Sequence, residues 1–393
     1  MSYKEIAIGE VCKYTTSGGT PKSNINEYYN PPTIPWLKTK EVNYCRIYET
    51  ETYISEEGLE KSSAKIIPPN SVIVAMYGQG DTAGRVAINK IPLTTNQACC
   101  NLIIDEGKAN YEFVYYALTN LYSKLVSLKN GGAQPNLNAT LVRGIKIPYP
   151  DLSIQHRIAD ILSVYDDLIE NNRKQIKLLE EAAQRLYKEW FVDLRFPGHE
   201  HTKIVDGLPE GWAKRPLSSI ADVIMGQSPK SEFYNQIGEG LPFHQGVGSY
   251  GNRFVKDETY STSFTRIAEA GSILFSVRAP VGRLNITKNK IVIGRGIAAL
   301  NHRSGLQSFL FYMLKERFFK DNLVGNGSIF ASISKDELLN QEFIIPCEDV
   351  VAQYDKATRS IDDKIAALDG QTELLTQARD RLLPKLMSGE VGM

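Results

Sequence analysis

Apolar residues recur at alternating steps of three and four in two segments of the chain, and this spacing predicts two long helices. From Ile158 to Trp190 the pattern holds for about four heptads with one polar position, which is typical of a coiled-coil seam. The same frame returns from Tyr354 to Leu386 with a more polar seam. At ~1.5 Å per residue, the first segment makes a helix of about 50 Å. The predicted seams are Ile158, Leu162, Tyr165, Ile169, Asn172, Ile176, Leu179, Ala183, Leu186 and Trp190, and then Tyr354, Thr358, Ile361, Ile365, Leu368, Thr372, Leu375, Arg379, Leu382 and Leu386.

The polar seam position Asn172 bears on how the two helices pair. If they pair antiparallel with aligned ends, residue numbers across the seam sum to about 544, which places Asn172 opposite Thr372. A polar pair in an apolar seam costs stability but selects one register over slipped alternatives. The alternative is that both side chains face solvent at a loose point of the seam.

Outside the two helices, short apolar runs bounded by Gly, Pro and polar residues predict strands. Two stretches with helical spacing interrupt them. The pattern therefore predicts mixed, mostly β domains with one or two helices each. The predicted strands include Ile6–Tyr14, Val72–Met76, Leu217–Met225 and Ile273–Val277, and the predicted short helices are Tyr111–Leu128 and Leu306–Leu323.

The chain repeats itself about 200 residues apart. The turn Gly18–Ser23 returns as Gly226–Ser231, and Asp166-Asp167 returns at an offset of 196 as Asp362-Asp363. Solenoid repeats have periods of only ~20–50 residues, so this period indicates a duplicated domain with its connector. We expect an α+β fold in which two mixed, mostly β domains in tandem are each followed by a long α-helix. The helices would pair as an antiparallel coiled coil in a pseudo-twofold internal repeat. The expected segments are a first domain at 1–149, a central helical spacer at 150–195, a second domain at 196–345 with its entry linker at 196–215, and a C-terminal helical spacer at 346–393.

Composition is that of a globular protein of two domains, with 42% hydrophobic and 23% charged residues among 393. No apolar run approaches a membrane span, and the N-terminus lacks the apolar core of a signal peptide, so we expect a cytoplasmic location. The five cysteines show no metal-binding spacing. Net charge is zero, but both predicted domains are mildly basic and both spacers mildly acidic. That distribution is a weak indication of a nucleic-acid partner.

Several fragments imitate catalytic motifs without their chemistry. Thr33 ends an Asn-Pro-Pro segment where an amino-methyltransferase has an aromatic residue that stacks on the flipped base. His199-Glu200-His201 lacks the i, i+4 spacing of a metalloprotease pair, and no phosphate-binding P-loop motif occurs. We therefore expect no catalytic residues and no metal site.

The order of the repeated motifs resembles the specificity subunit of type I restriction-modification systems, over essentially the whole chain. No single motif would suffice, but their order and duplication are specific. The motifs are the two Gly–Ser turns, Gly84-Arg85 and Gly282-Arg283, Thr95-Asn96-Gln97 and Gly294-Arg295-Gly296, Gly132–Leu137, Ile147-Pro148 and Ile345-Pro346 ahead of Gln155 and Gln353, and Leu208–Trp212.

The resemblance implies two target-recognition domains, each of which reads one half of a split DNA sequence across a gap set by the coiled coil. The subunit itself would be non-catalytic and bind no cofactor. Its implied partners are double-stranded DNA, two modification subunits that carry S-adenosylmethionine and methylate adenine, and restriction subunits that use ATP and Mg. The setting would be phage defence in the cytoplasm of a bacterium or archaeon, with no membrane.

Polar and basic side chains in the predicted loops are the candidate DNA contacts, because Arg, Lys, Asn and Gln read base edges and bind phosphates. For each of them, a solvated surface position or an internal hydrogen bond is the competing interpretation, and Arg85 and Arg283 match one another as structural residues would. The candidates are Lys22, Ser23, Lys38, Lys40, Tyr77, Gln79, Arg85, Asn136 and Asn138 in the first domain, and Lys230, His244, Gln245, Arg253, Arg278, Arg283 and Arg295 in the second.

Two other functions fit parts of the pattern. A coiled-coil adaptor could join two protein-binding domains with no DNA role. A remnant of a fused enzyme would require a methyltransferase domain, which this sequence lacks. The second half carries Gly325–Phe330 in place of the first half's Gln-Pro-Asn-Leu loop, so we expect the two domains to read different sequences.

Overall fold

The computed structural model describes residues 3–78, 80–129, 136–318 and 332–391 and divides into two compact units. Unit 1 comprises Met1–Asn172 with Gln371–Met393, and unit 2 comprises Arg173–Gly370. Each of two long helices therefore contributes one segment to each unit. Among the described residues, no helix combines the length and apolar content that crossing a membrane would require.

Unit 1 is built on a five-stranded sheet in the order β2-β9-β6-β7-β4. Central strand β6 pairs antiparallel with β7 and β9, and its side chains are all buried, as a continuous apolar run predicts. A second sheet has the order β5-β3-β8, and β1 pairs with β10. The strands are β1 Glu5–Ala7, β2 Cys12–Ser17, β3 Ile34–Leu37, β4 Cys45–Ile47, β5 Tyr53–Ile54, β6 Val72–Ala75, β7 Val86–Asn89, β8 Thr94–Thr95, β9 Cys99–Ile104 and β10 Lys146–Pro148.

The helices of unit 1 cover the sheet. The α3 helix begins where the Asn110 side chain accepts a hydrogen bond from the amide of Phe113, and it buries six consecutive residues in the core. The first two turns of the long helix α6 and the last turns of the C-terminal helix complete that core through Ile158 and Leu386. The helices are α1 Ile8–Val11, α2 Glu56–Glu60, α3 Tyr111–Asn120, α4 Tyr122–Lys129, α5 Ala139–Gly144 and α6 Leu152–Tyr187, the last of which continues into unit 2.

Unit 2 repeats this plan with a four-stranded sheet in the order β14-β22-β19-β20 and a five-stranded sheet in the order β15-β17-β16-β21-β18. The pair β16 and β21 is parallel, as β3 and β8 are in unit 1. The strands are β11 Ile204–Val205, β12 Leu208–Pro209, β13 Ala213–Pro216, β14 Ala221–Met225, β15 Tyr234–Asn235, β16 Leu241–His244, β17 Tyr260–Ser261, β18 Ile267–Ala268, β19 Ile273–Ser276, β20 Leu284–Ile286, β21 Ile291–Ile293, β22 Ile297–His302 and β23 Glu342–Ile345, and the helices are α7 Gln307–Phe318, α8 Lys335–Leu339 and α9 Glu348–Ser388.

Every predicted seam position of the two long helices, α6 and α9, is buried or half-buried, and the predicted antiparallel pairing is confirmed within each unit. In unit 1, Arg379 pairs with Asp166 and Asn172 donates to the Gln371 carbonyl oxygen at 3.2 Å. Asn172 thus contacts Gln371, which is adjacent in sequence to Thr372, the predicted partner. In unit 2, Ile176 packs against Ile365 and Leu368. A short π-helical turn, Lys188–Val192, extends α6.

Candidate nucleic-acid interface

In unit 1, the loops that carry the candidate DNA contacts leave one edge of the sheets. The carboxyl ends of β2, β3, β6 and β8 meet the amino end of β9 there, because β9 runs antiparallel to β2 and β6. Hydrogen bonds join the loops: Met76 donates its amide to Ala98, Leu137 donates to Met76, and Asn96 donates to Leu37. We call this edge the unit 1 loop edge.

Most candidate side chains of unit 1 belong to the unit 1 loop edge. Lys22, Ser23 and Lys40 are exposed, and Lys38 and Tyr77 are half-buried. The Lys38 ammonium lies 5.0 Å from the centre of the Trp36 ring, and Lys40 forms an ion pair with Glu51. The Lys40 ion pair is a surface pair worth only ~0–1 kcal/mol, so it does not prevent Lys40 from binding a phosphate.

Two other candidates, Arg85 and Asn138, hold the loops of unit 1 in place. Arg85 donates to Asp81 at 2.6 Å and to Asn43 at 2.9 Å. The carboxylate of Asp81 raises the pKa of Arg85. Asn138 caps α5 by accepting from the amide of Leu141, and Asn136 is exposed beside it. Arg85 and Asn138 therefore have structural partners in this unit.

The repeated Gly–Ser turn follows from a close backbone approach in both units. A Cβ at Gly18 would lie 2.1 Å from the Thr95 carbonyl oxygen, and one at Gly226 would lie 2.1 Å from that of Gly294. Only glycine fits such spacing. The turn is further held by the Trp36 indole, which donates to the Gly19 carbonyl at 3.0 Å.

Unit 2 has an equivalent edge, the unit 2 loop edge, where β14, β16, β19 and β21 end and β22 begins. Gly294 donates to His244, Gly296 donates to Gln245, and the amide of Arg295 donates to the Ser228 hydroxyl at 3.2 Å. Candidates Lys230, Gln245, Arg278 and Arg295 are exposed along this edge, and Arg283 is half-buried.

His244 lies in the interior of unit 2, with both ring nitrogens engaged. Its Nδ1 is 2.8 Å from the Ser249 hydroxyl and its Nε2 is 2.9 Å from Asp257 Oδ1. The His244 side chain is fully buried. In this structure it supports the loop that carries Gln245 and has no nitrogen left for a base.

Arg253 also lies in the interior, away from the unit 2 loop edge. Its carbonyl accepts a hydrogen bond from the amide of Ile286, which pairs with Ile273, the first residue of β19. Because β19 ends at the unit 2 loop edge, Arg253 lies at the opposite edge of the sheet. Its guanidinium pairs with Asp362 at 2.6 Å and stacks 3.7 Å from the centre of the Phe311 ring. With 3% of its side chain exposed, Arg253 docks the sheet against α9.

The counterpart of Arg253 in unit 1 is Arg46, which sequence reasoning missed. Arg46 pairs with Ile88 of β7 at the edge opposite the loops, and its guanidinium binds Asp167 of α6 and lies 3.6 Å from Glu112. Burial lowers the pKa of Arg46, but the Asp167 hydrogen bond and the surrounding carboxylates raise it further. The two arginines do not share the 196-residue offset, so the repeat gave no signal for them. Gln97, exposed at the tip of the unit 1 loop edge, was also missed although its motif was recognised.

Some predicted residues lie outside the described part of the chain. These are Gln79, the loop at 132–135 and the segment at 325–330. Among the described residues, no group of three or more His, Cys, Asp and Glu side chains could hold a metal ion.

The family described as "Type I restriction modification DNA specificity domain" matches the chain twice, over residues 2–181 and 209–379. The type I restriction enzyme MjaIX specificity subunit of Methanocaldococcus jannaschii is 29% identical over 405 residues, covering 98% of this chain and 91% of that protein. The HindI specificity subunit of Haemophilus influenzae is 21% identical over 467 residues and 99% of both chains. A crystal structure of the S subunit from Mycoplasma genitalium aligns with a TM-score of 0.59 at 18% identity, over 98% of this chain and 96% of that one. That likeness shows a shared fold.

Proposed function

The chain belongs to the family of type I restriction modification DNA specificity domains, and from this premise we propose that it selects the DNA sequence on which a type I restriction-modification complex acts. It is a non-catalytic specificity subunit. The double match to the family carries the conclusion, because each match covers one set of loops and one long helix. Family membership does not favour the adaptor hypothesis.

Each loop edge reads one half of a bipartite DNA target in this proposal. The two edges share their backbone plan and differ in their side chains: Gln97 stands in the loop of unit 1 where Arg295 stands in unit 2. Arg reads guanine, whereas Gln prefers adenine, so the two edges recognise different half-sites. The exposed candidates Lys22, Lys40, Lys230 and Arg278 bind phosphates beside them.

Substituting Arg295→Ala tests this assignment. A bidentate base contact is worth ~1–3 kcal/mol, so we expect one position of one half-site to become degenerate in a genome-wide map of methylated adenines. Arg303→Ala is the matched control, because Arg303 is an exposed arginine of unit 2 that follows β22 at the edge opposite the loops and pairs with Asp222. A motif that Arg295→Ala leaves unchanged, or that Arg303→Ala changes equally, would contradict the assignment.

The paired helices set the gap between the half-sites in this proposal, supported by the unbroken run of α6 from Leu152 to Tyr187. A matched test inserts one heptad after Asn172 and another after Gly370, where the two units meet in the sequence and no contact within a unit is cut. Each insertion lengthens its helix by about 10 Å, or about three base pairs at ~3.4 Å. We expect either the same half-sites separated by a longer gap or a loss of activity. An unchanged gap with full activity would show that the helices do not set the gap.

The partners in this proposal are double-stranded DNA, two modification subunits that carry S-adenosylmethionine, and restriction subunits that use ATP and Mg. The residue ranges 1–149, 150–195, 196–345 and 346–393 remain our proposed division into recognition domains and spacers. The proposed setting is the cytoplasm. Co-expression with the modification subunit, followed by mass measurement, tests the stoichiometry, and a chain that stays alone would contradict it.

A further inference from the structure

A three-residue segment packs against the Gly–Ser turn in each unit. In unit 1, a Cβ at Gly19 would lie 2.2 Å from the amide nitrogen of Ala64, so the two backbones are in contact. In unit 2, the Thr265 hydroxyl donates to the carbonyl of Gln227. Because both Gly–Ser turns belong to the loop edges, the two segments lie beside the candidate DNA contacts. We call them the docked triplets, 63–65 in unit 1 and 264–266 in unit 2.

The strand pairing shows that the docked triplets occupy equivalent places. In unit 1, Ile67 forms an antiparallel bridge with Leu93, the residue before the parallel pair of β3 and β8. In unit 2, Ala268 pairs antiparallel with Ile291, the residue before the parallel pair of β16 and β21. The offset between the units is therefore 201 residues here. It matches Ser63 with Phe264, Ala64 with Thr265 and Lys65 with Arg266.

The middle residue of each docked triplet faces its own unit, and the outer two are exposed. Ala64 is buried, and Thr265 is half-buried with its hydroxyl on the Gly–Ser turn. The last position is an exposed cation in both units, a lysine in one and an arginine in the other. The first position differs: Ser63 is exposed in unit 1, whereas Phe264 leaves 53% of its side chain exposed in unit 2.

This distribution separates two kinds of DNA contact. A cation that occurs in both units suits the phosphates, which every sequence presents alike, whereas a side chain that differs between the units suits a base. The Gly–Ser turn of unit 2 also holds Arg295, whose amide donates to Ser228, the residue after Gln227. Phe264 and Arg295 therefore flank one turn of the unit 2 loop edge.

We propose that Phe264 reads a thymine of the unit 2 half-site and that Lys65 and Arg266 bind backbone phosphates. This inference rests on the proposed function. Phe264 has no polar group with which to read a base edge. The apolar group that the major groove offers is the C5-methyl group of thymine, and phenylalanine is one of the side chains that contact it.

Uracil in place of thymine tests the contact, because it removes the methyl group and keeps the base pair. The half-site contains at least one thymine if an adenine in it is methylated. The assay measures binding of the complex with its modification subunits to duplexes in which each thymine of this half-site is replaced in turn. Burying one methyl group changes an affinity by about 4-fold, so we expect one position to show a loss of about that size.

The variants assign that loss to one side chain. Phe264→Ser introduces the residue of unit 1, and its complex should bind the thymine and uracil duplexes equally. Phe264→Leu should keep part of the discrimination, because leucine is also apolar. Ile204→Ser is the control, since Ile204 is 60% exposed in β11, ahead of the start of β14 at the edge opposite the loops. It should keep the full uracil effect.

The two cations have a different readout. Lys65→Ala and Arg266→Ala should each weaken binding to all sequences alike and reduce the slope of log affinity against log salt concentration by about 1. Unchanged slopes would show that neither side chain binds a phosphate.

Three results separate failure of this inference from other failures. Phe264→Ser changes an exposed side chain, so an unchanged melting temperature shows that lost discrimination is not misfolding. If the unsubstituted complex methylates no defined sequence, the proposed function itself fails. If that complex keeps its motif but tolerates uracil at every position, or if Phe264→Ser keeps the full uracil effect, Phe264 does not read a thymine methyl group.

Discussion

The two units attach their globular parts to the long helices with the same tyrosine–aspartate pair, in which the tyrosine lies on α3 or α7, but with differently placed arginines. Tyr116 donates to Asp166 at 2.6 Å in unit 1, and Tyr312 donates to Asp362 at 3.2 Å in unit 2. Both residues of the pair keep the 196-residue offset. In unit 1 the cation on the aspartate is Arg379 of α9, whereas in unit 2 it is Arg253 of the globular part.

The remaining seam compensates for this difference. At the position that corresponds to Arg379, unit 2 has Ala183, whose carbonyl accepts from the Tyr354 hydroxyl at 3.0 Å. Tyr354 lies among Tyr187, Phe191 and Phe309, so aromatic packing fills the space that an ion pair fills in unit 1. The tyrosine–aspartate pair is therefore preserved, and only the origin of the arginine differs: it comes from a long helix in unit 1 and from the globular part in unit 2.

Removal of Arg253 should lower the free energy of unfolding more than any other change considered below. Among the described contacts of unit 2, no arginine of a long helix pairs with Asp362. Arg253→Ala leaves Asp362 and Glu180 facing each other beside a cavity under Phe311. Breaking a buried pair costs ~3–5 kcal/mol, so we expect the free energy of unfolding to fall by about 3 kcal/mol or more in urea titration. Arg253→Lys should recover only part of it, since ammonium does not stack like guanidinium.

Arg46→Ala is the matched change in unit 1, and its expected cost is smaller. The main partner of Arg46 is Asp167, whose side chain is 65% exposed and can return to water. Asp166 meanwhile keeps Arg379. Equal losses of stability for Arg46→Ala and Arg253→Ala would show that the two arginines contribute equally to holding the globular parts on the long helices. That result would contradict the difference between the units described above.

The two tyrosines provide a narrower test with no change of charge. Tyr116→Phe removes a short hydrogen bond to a carboxylate, and hydrogen bonds to charged groups contribute ~1.5–3 kcal/mol. Tyr312→Phe removes a longer bond from Asp362, which retains Arg253 and the Ser308 hydroxyl as donors. We expect unfolding in urea to show about 2 kcal/mol lost for Tyr116→Phe and about 1 kcal/mol for Tyr312→Phe. The reverse order would contradict this.

Helix docking distinguishes the units once more at the starts of α3 and α7. In unit 2, buried Asp355 accepts from the amides of Ser308 and Phe309 at the start of α7, whereas in unit 1 the neutral Gln155 accepts from Asn110. A carboxylate at a helix N-terminus adds ~0.3–1 kcal/mol. We expect Asp355→Asn to lower the stability of unit 2 by about 1 kcal/mol, measured by thermal unfolding. Asp363 is exposed, so Asp363→Asn should change stability by less than ~0.5 kcal/mol. Equal losses for the two variants would show that Asp355 does not stabilise unit 2 through the N-terminus of α7.

The long helices were predictable because a heptad pattern is local in sequence. Positions such as Ile158, Leu162 and Ile365 are buried as their spacing predicts. The strands Val72–Ala75 and Ile273–Ser276 followed from apolar runs for the same reason. The predicted helix from Tyr111 divides into α3 and α4, because the chain turns at Leu121.

The attachment residues were not predictable, because their partners lie far away in sequence. Arg46 and Asp167 are 121 residues apart, and Arg253 and Asp362 are 109 apart, so no window of the sequence shows them together. Residue type and loop position predict His244 and Arg253 as DNA contacts. Their burial depends on a tertiary context that residue type does not encode.

The smallest expected difference between the units is in the pH dependence of local stability at Leu37 and His244. Both residues end equivalent strands and are buried, but Leu37 is apolar whereas His244 bonds Asp257. Burial raises the pKa of Asp257, yet the hydrogen bonds from His244 and Asn289 outweigh it and lower that pKa below its ordinary value.

A carboxyl group with a lowered folded pKa contributes stability above its unfolded pKa of ~3.9 and loses it as the pH falls through the folded value. Amide exchange at Phe243 should therefore accelerate on acidification below about pH 4 more than amide exchange at Trp36, its equivalent in unit 1, after correction for intrinsic rates. The effect is small because Asp257 is partly exposed. His244→Leu gives unit 2 the apolar residue of unit 1 and removes one cause of the lowered pKa, so the acid dependence at Phe243 should flatten. If the pH dependence of amide exchange at Phe243 is unchanged in His244→Leu, the loss of stability in acid comes from other carboxylates of unit 2.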